Sequence, residues 1–220
     1  MRTDLIYGTL PTNLGLCNLS PKEMMFWLYC PIKLPGMQSV SVPDNLMQYR
    51  PLWERVRNDC ARIWGDSYVY ITAKTLWVTP ENPGNRHGWH SDGFLTDDLN
   101  YIWSDANPTV FFCDGDLHSF TADHGSSLGE MDALCETNQL RHVTYPDKHL
   151  LRLDQCVLHK VNSNIAPGVR TFVKISVSRH RYALEGNSIN HELAPGWDYS
   201  LRGENRNCPI EGAALKGATE

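Results

Sequence analysis

The run Gly88-Trp89-His90-Ser91-Asp92-Gly93-Phe94 sets an imidazole and a carboxylate two residues apart, just after a strand-like segment and a turn. In an extended backbone, residues i and i+2 project from the same face. His90 and Asp92 projecting together supply two of the three ligands of a facial triad for non-haem iron(II), which leaves the remaining positions open for oxygen chemistry. The H-x-D triplet alone is a weak signal, because a His or Asp beside a turn commonly satisfies backbone groups. A third ligand has to come from elsewhere. His159 is the best placed, in the strand-like run Leu158-His159-Lys160-Val161 shortly before a further strand, and Arg170 follows eleven positions later.

Strands must position these groups. Ser67 to Thr79 is rich in β-branched and aromatic residues and reads as a long strand ending at Pro80. Thr109 to Cys113, His149 to Leu153, Cys156 to Val161 and Val169 to Ser178 read as further strands, with polar or glycine-containing loops between them. In the last, Val169, Thr171, Val173, Ile175 and Val177 share an aliphatic face suited to packing. Arg170, Phe172, Lys174, Ser176 and Ser178 share the opposite face, which suits a water-containing cavity inside a barrel or sandwich. Leu52, Trp53, Val56, Cys60, Ile63 and Trp64 recur at helical spacing, with Pro51 in the first turn and Gly65 at the stop. Residues 1–42, punctuated by proline and glycine, are expected to be irregular and to wrap the domain, and the polar tail 202–220 to pack loosely.

With Arg170 included, the chain resembles the iron(II)- and 2-oxoglutarate-dependent oxygenases, whose pattern is H-x-D, a distal His and, shortly after it, an Arg that binds the cosubstrate. The likeness runs from Tyr68 to Ser178. His90-Ser91-Asp92 corresponds to the first part, His159 to the distal ligand, and Arg170 in Ala166-Pro167-Gly168-Val169-Arg170-Thr171 to the cosubstrate arginine. The resemblance implies a mainly β fold with flanking helices and a double-stranded β-helix (jelly-roll, cupin-like) core. It also implies Fe(II) on His90, Asp92 and His159, with 2-oxoglutarate and O2 as cosubstrates. The implied outcome is hydroxylation of an unactivated C–H of a small metabolite or amino-acid derivative, with release of succinate and CO2. The presence of Asp92 argues against halogenation, for which the resembling enzymes lack this carboxylate. A nucleobase or peptide side-chain hydroxylase, or a cupin-like metal binder that does not oxidise its ligand, are the alternatives.

A guanidinium suits the cosubstrate site, because a buried carboxylate is costly unless paired and a planar fork binds it through two parallel hydrogen bonds. Ser176 and Ser178 on the face of Arg170, and Tyr70, Thr72 and Lys74 on one face of the earlier strand, are further candidates for the cosubstrate. His87 is a candidate for supporting the ligands by hydrogen bonding. Trp89, Phe94, Tyr101 and Trp103 are open to two readings, as core packing or as substrate walls.

Composition bounds the rest. The chain has 220 residues, 41% of them hydrophobic, enough for one well-buried domain. A net charge of -5 gives no general attraction to phosphate backbones, so a small-molecule substrate is expected before nucleic acid. Neither a membrane-spanning run nor a signal-like N-terminus is visible, and a cytoplasmic location is the expectation. The seven cysteines form no C-x-x-C pair and read as reduced thiols, which leaves thiolate zinc without support.

Overall fold

The alternating side-chain direction of two eleven-residue strands, buried on both faces along most of their length, sets the layering of the molecule, seen in a computed structural model that describes residues 2, 3, 5–114, 116 and 118–201. The strands are β1 (Thr12–Leu16), β2 (Met25–Lys33), β3 (Tyr68–Val78), β4 (His90–Ser91), β5 (Leu99–Ser104), β6 (Val110–Phe112), β7 (His142–Thr144), β8 (His149–Leu153), β9 (Leu158–Lys160) and β10 (Gly168–Ser178). They form two antiparallel sheets, a six-stranded one in the order β1-β8-β5-β10-β3-β2 and a four-stranded one in the order β4-β9-β6-β7. The fold is therefore mainly β, with three α-helices among the described residues: α1 (Arg50–Asp59), α2 (Ala61–Trp64) and α3 (His124–Thr137).

On the outer face of the large sheet, Val69, Ile71, Ala73, Tyr101, Trp103, Val173, Ile175 and Val177 bury themselves against Leu52, Trp53, Val56 and Trp64 of the helical segment. Each such aliphatic side chain contributes roughly 1.5–3 kcal/mol by leaving water. Between the sheets lies a second cluster that joins Ile102, Leu151, Leu153 and Phe172 to Phe111 and Val157. A third, on the outer face of the small sheet, packs Trp89, Phe112 and Leu158 against Met131 and Cys135 of α3. Neighbouring residues thus serve opposite layers, as period-2 alternation requires: Phe111 and His159 face the large sheet, while Phe112 and Leu158 face α3. Tyr101 and Trp103 belong to the helix-covered core and are not substrate walls.

Several expectations need correction. The N-terminal segment does not merely wrap the domain. β2 pairs with β3, and Cys30, Ile32 and Lys33 are fully buried. The ammonium of Lys33 donates to the carbonyls of Leu34, Gly65 and Ser67 at 3.0, 3.2 and 2.9 Å, so this strand also caps the end of α2. The helix expected over Leu52 to Trp64 breaks at Cys60, next to Asp59, which turns to accept from Tyr101 and Arg152. α3, read as loop, begins on an Asp123 cap that accepts from the Ser126 amide at 2.8 Å. β5 and β7 were likewise not expected. Cys17, Cys30, Cys60, Cys113, Cys135 and Cys156 are free thiols, as anticipated. Among the described residues no helix is long and apolar enough to cross a membrane. The tail 202–220 lies outside the described residues.

Candidate metal centre and its cavity

His90 on β4 and His159 on β9 are register partners, so the antiparallel pairing brings two imidazoles 69 residues apart in sequence face to face, with ring centroids at 4.4 Å. Asp92 follows β4 at the start of a turn that needs Gly93 at φ +74°. A Cβ there would lie 3.0 Å from Thr96 Oγ1 and 3.1 Å from Asp98 Cβ, so both conformation and space call for glycine. The turn swings the carboxylate back between the imidazoles, and one ligand atom from each of the three residues lies within 4.8 Å of the others. His159 Nε2 is 3.7 Å from Asp92 Oδ2.

The backbone orients the rings. His90 Nδ1 donates to the Gly88 carbonyl at 3.0 Å and His159 Nδ1 to the Val157 carbonyl at 3.2 Å. A carbonyl only accepts, so each Nδ1 carries a proton and each Nε2 lone pair is left for a metal. Gly88 itself sits at φ +84°, and α3 braces the approach to β4. Asp132 accepts from the Trp89 amide at 2.7 Å, Glu136 accepts from the Trp89 indole at 2.7 Å, and Lys160 pairs with Glu136 while lying over the indole ring. Trp89 is therefore a buried strut. His87 is exposed, and the carbonyl of Gly88, not His87, steadies His90.

Burial holds the His90 imidazole down to about 3 and lowers that of His159 as well, which keeps both neutral and able to ligate. Burial also works to raise the Asp92 carboxyl, but Lys174 beside it prevails and holds it below the usual range. Lys174, on the inner face of β10, donates to Asp92 Oδ2 at 3.0 Å and lies 4.9 Å from the centre of the Tyr29 ring. Although burial opposes its charge, Asp92 and Tyr29 keep the ammonium protonated.

The triad opens onto a cavity of about 150 Å³ between the two sheets, room for a small molecule. The large sheet lines it with Thr72, Lys74, Ile102, Phe172 and Lys174, and the loops with Asn85, Arg86, Phe94 and Thr109. Tyr29 reaches it from a bulge in β2 that holds the residue at φ +45°, a strained conformation for an aromatic side chain.

Of the cosubstrate candidates, Thr72 and Lys74 line the cavity, whereas Arg170, Tyr70, Ser176 and Ser178 do not. The Tyr70 hydroxyl donates to the His180 carbonyl and accepts from the Tyr182 amide, and Ser176 donates to Asn100 Oδ1 at 2.6 Å. Arg170 is only 2% exposed, on the inner face of β10 behind Phe172, whose ring it meets at 5.2 Å. Its Nε donates to the Ala106 carbonyl at 3.0 Å, while Nη2 is buried with no partner. Burial pulls this guanidinium down to about 10, so it is still charged at neutral pH.

Sequence reasoning missed Lys174 as the partner of Asp92, although the alternation that selected Arg170 places Lys174 on the same face. It also missed Tyr29, Asn85 and Arg86, which no spacing marks. No protein-family model matches the chain, and no curated protein matches it in sequence.

Proposed function

We propose that the chain is an iron(II)- and 2-oxoglutarate-dependent dioxygenase that hydroxylates a small-molecule substrate, with a double-stranded β-helix core formed by the two facing sheets. The observation that carries the reading is the convergence of two neutral imidazoles and one ionised carboxylate on a single point at the edge of a ligand-sized cavity. Two histidines and one carboxylate fit octahedral iron(II) with open positions. A buried cation with an unpaired Nη2 fits the far carboxylate of 2-oxoglutarate, since such a donor costs free energy until an acceptor reaches it.

In this reading His90, Asp92 and His159 hold the iron and Arg170 holds the cosubstrate. The iron, with 2-oxoglutarate and O2, supplies oxidative decarboxylation to succinate and CO2 coupled to oxygen insertion at a C–H. The remaining work falls to the chain. The carbonyls of Gly88 and Val157 fix the tautomers, so both Nε2 atoms are ready without reorganisation. Lys174 keeps Asp92 ionised and aligned. Ile102, Val161 and Phe172 give the cavity apolar walls that exclude water from the reacting centre.

The test is succinate release. Purified protein with iron(II), O2 and 2-oxoglutarate, screened against metabolites, amino acids and nucleosides, should form succinate with at least one of them, and His159→Ala should form none. Wild-type protein forming no succinate with any of them would contradict the proposal.

A further inference from the structure

Three tyrosines meet beside the cavity, and the reaction proposed above gives them no task. Tyr29, turned inward by the bulge in β2, lies next to Lys174 and so close to the ligand Asp92. Its ring centroid is 5.9 Å from that of Tyr70 and 5.6 Å from that of Tyr182, which are themselves 5.4 Å apart. From Tyr70 the series of rings continues outward. Tyr68 stacks on Tyr70 at 6.1 Å, and Trp197 sits 5.8 Å from Tyr68 and 6.4 Å from Tyr70. Tyr70 and Tyr182 are buried, whereas Tyr68 and Trp197 are half-buried and reach the surface.

Packing alone needs rings but not phenols, because each buried hydroxyl costs free energy until it is hydrogen-bonded. Phenol and indole rings lose an electron far more readily than a phenyl ring, and an electron passes readily between rings in near contact. A phenol that loses an electron must also lose its proton. Tyr182 has an acceptor for it, since its hydroxyl donates to Asp98 Oδ2. Burial holds the Asp98 carboxyl above the usual carboxylate range, which strengthens it as a base.

We infer that Tyr29, Tyr182, Tyr70, Tyr68 and Trp197 form a path that carries electrons from the surface to the metal when O2 is activated with no substrate in the cavity; this rests on the oxygenase reading above. Decarboxylation of 2-oxoglutarate then leaves one oxygen atom of O2 with no C–H to enter. Two electrons, passed one at a time through Tyr29, and two protons from solvent reduce that atom to water and return the metal to iron(II). A one-electron donor in solution refills the path at Tyr68 and Trp197, and the Tyr182 proton returns from Asp98. The rings of His90 and His159 are thereby spared oxidation.

The experiment uses the full chain with iron(II), 2-oxoglutarate and O2, without substrate and with catalase to remove peroxide. The electron donor is reduced cytochrome c, a protein too large to enter a cavity of about 150 Å³, so that it can deliver electrons only at the surface. Wild-type protein should oxidise two cytochromes for each succinate formed, and samples frozen without cytochrome should show a tyrosyl radical by electron paramagnetic resonance. Tyr29→Phe should lose both signals. Tyr70→Phe, which cuts the path beyond Tyr182, should lose cytochrome oxidation but keep the radical, with iron and 2-oxoglutarate bound as in wild type. Trp77→Phe, at the other end of β3 and 61% exposed, should change neither. Cytochrome oxidation that survives Tyr29→Phe, or is lost equally in Trp77→Phe, would overturn the inference. Wild-type protein that binds 2-oxoglutarate but gives neither signal would overturn the inference alone, whatever the folding of the variants. Wild-type protein that binds no 2-oxoglutarate would overturn the oxygenase reading and this inference with it.

Discussion

On the four-stranded side of the cavity the functional groups are held by a two-residue strand, a three-residue strand and a glycine turn, whereas on the six-stranded side they ride on the two eleven-residue strands. The first wall supplies His90, Asp92 and His159; the second supplies Lys74 and Lys174, with Arg170 buried against Phe172 on the same face of β10 as Lys174. The ligand wall depends on local backbone geometry and on the brace from α3. The cationic wall depends on a long, regular ladder whose other face is buried against α1 and α2. Metal binding should therefore fail on small changes of backbone. Cosubstrate binding should fail chiefly when a charged group is removed.

The largest effect should follow removal of a ligand. His90→Ala, Asp92→Ala or His159→Ala should each reduce bound iron(II) from one per chain to near none, by metal analysis after dialysis, with the far-ultraviolet dichroism of the sheets retained. Bound iron in all three variants would break the assignment of the ligand wall.

Lys174→Met tests where the two walls meet. Deleting one partner of a buried ion pair leaves the other charge uncompensated and costs about 3–5 kcal/mol. Metal-free Lys174→Met should therefore melt well below the wild type, and iron(II), which offers Asp92 a new counter-charge, should recover most of the difference. Equal melting with and without metal would mean that Lys174 does not pair with Asp92.

Gly93→Ala changes no ligand and no charge. At φ +74°, with Thr96 and Asp98 at the contact limit, the added methyl should cost about 1–3 kcal/mol of stability and move Asp92 away from the imidazoles. Iron affinity should fall and 2-oxoglutarate affinity should fall only through it. Gly168→Ala, on the cationic wall with open space around its Cβ, should leave both unchanged.

A further effect is on pH. The metal-free folded chain holds His90 at about 3 against an ordinary imidazole at 6.5, so the unfolded chain binds the proton first within this window. Stability of the metal-free protein should rise with pH from about 3 to 6.5 and be lost on acidification, and His90→Gln should flatten that slope, by denaturant titration across the range.

The difference between the walls also explains what could be read from sequence. β3 and β10 are long and rich in β-branched and aromatic residues, and the sequence reading places them within a residue of their observed ends. Their faces followed directly, and with them the inward direction of Arg170 and Lys174. His90, Asp92 and His159 were recognisable as a set through spacing, but their closeness comes from the His90–His159 register, a long-range pairing that no local pattern contains. α3 was hidden because Gly125, Ser126, Ser127 and Gly129 weaken helix propensity, and only Ser127, Met131 and Cys135 are buried. β2 was hidden by Pro31, which on sequence argues against a strand, and by a bulge at Tyr29 that interrupts the alternation. The same bulge brings Tyr29 into the cavity. Tyr70 and Ser176 share a face with Lys74 and Arg170, as alternation required, but their hydroxyls are committed to His180 and Asn100.

The most direct measurement is a calorimetric titration of 2-oxoglutarate into the protein without O2, with and without iron(II), in wild type and Arg170→Ala. The expected result is one molecule bound per chain, dependent on iron, and weakened about 10–100-fold by the substitution while iron binding is unchanged. Absence of binding to the iron-loaded wild type, or an affinity indifferent to both iron and Arg170, would contradict it.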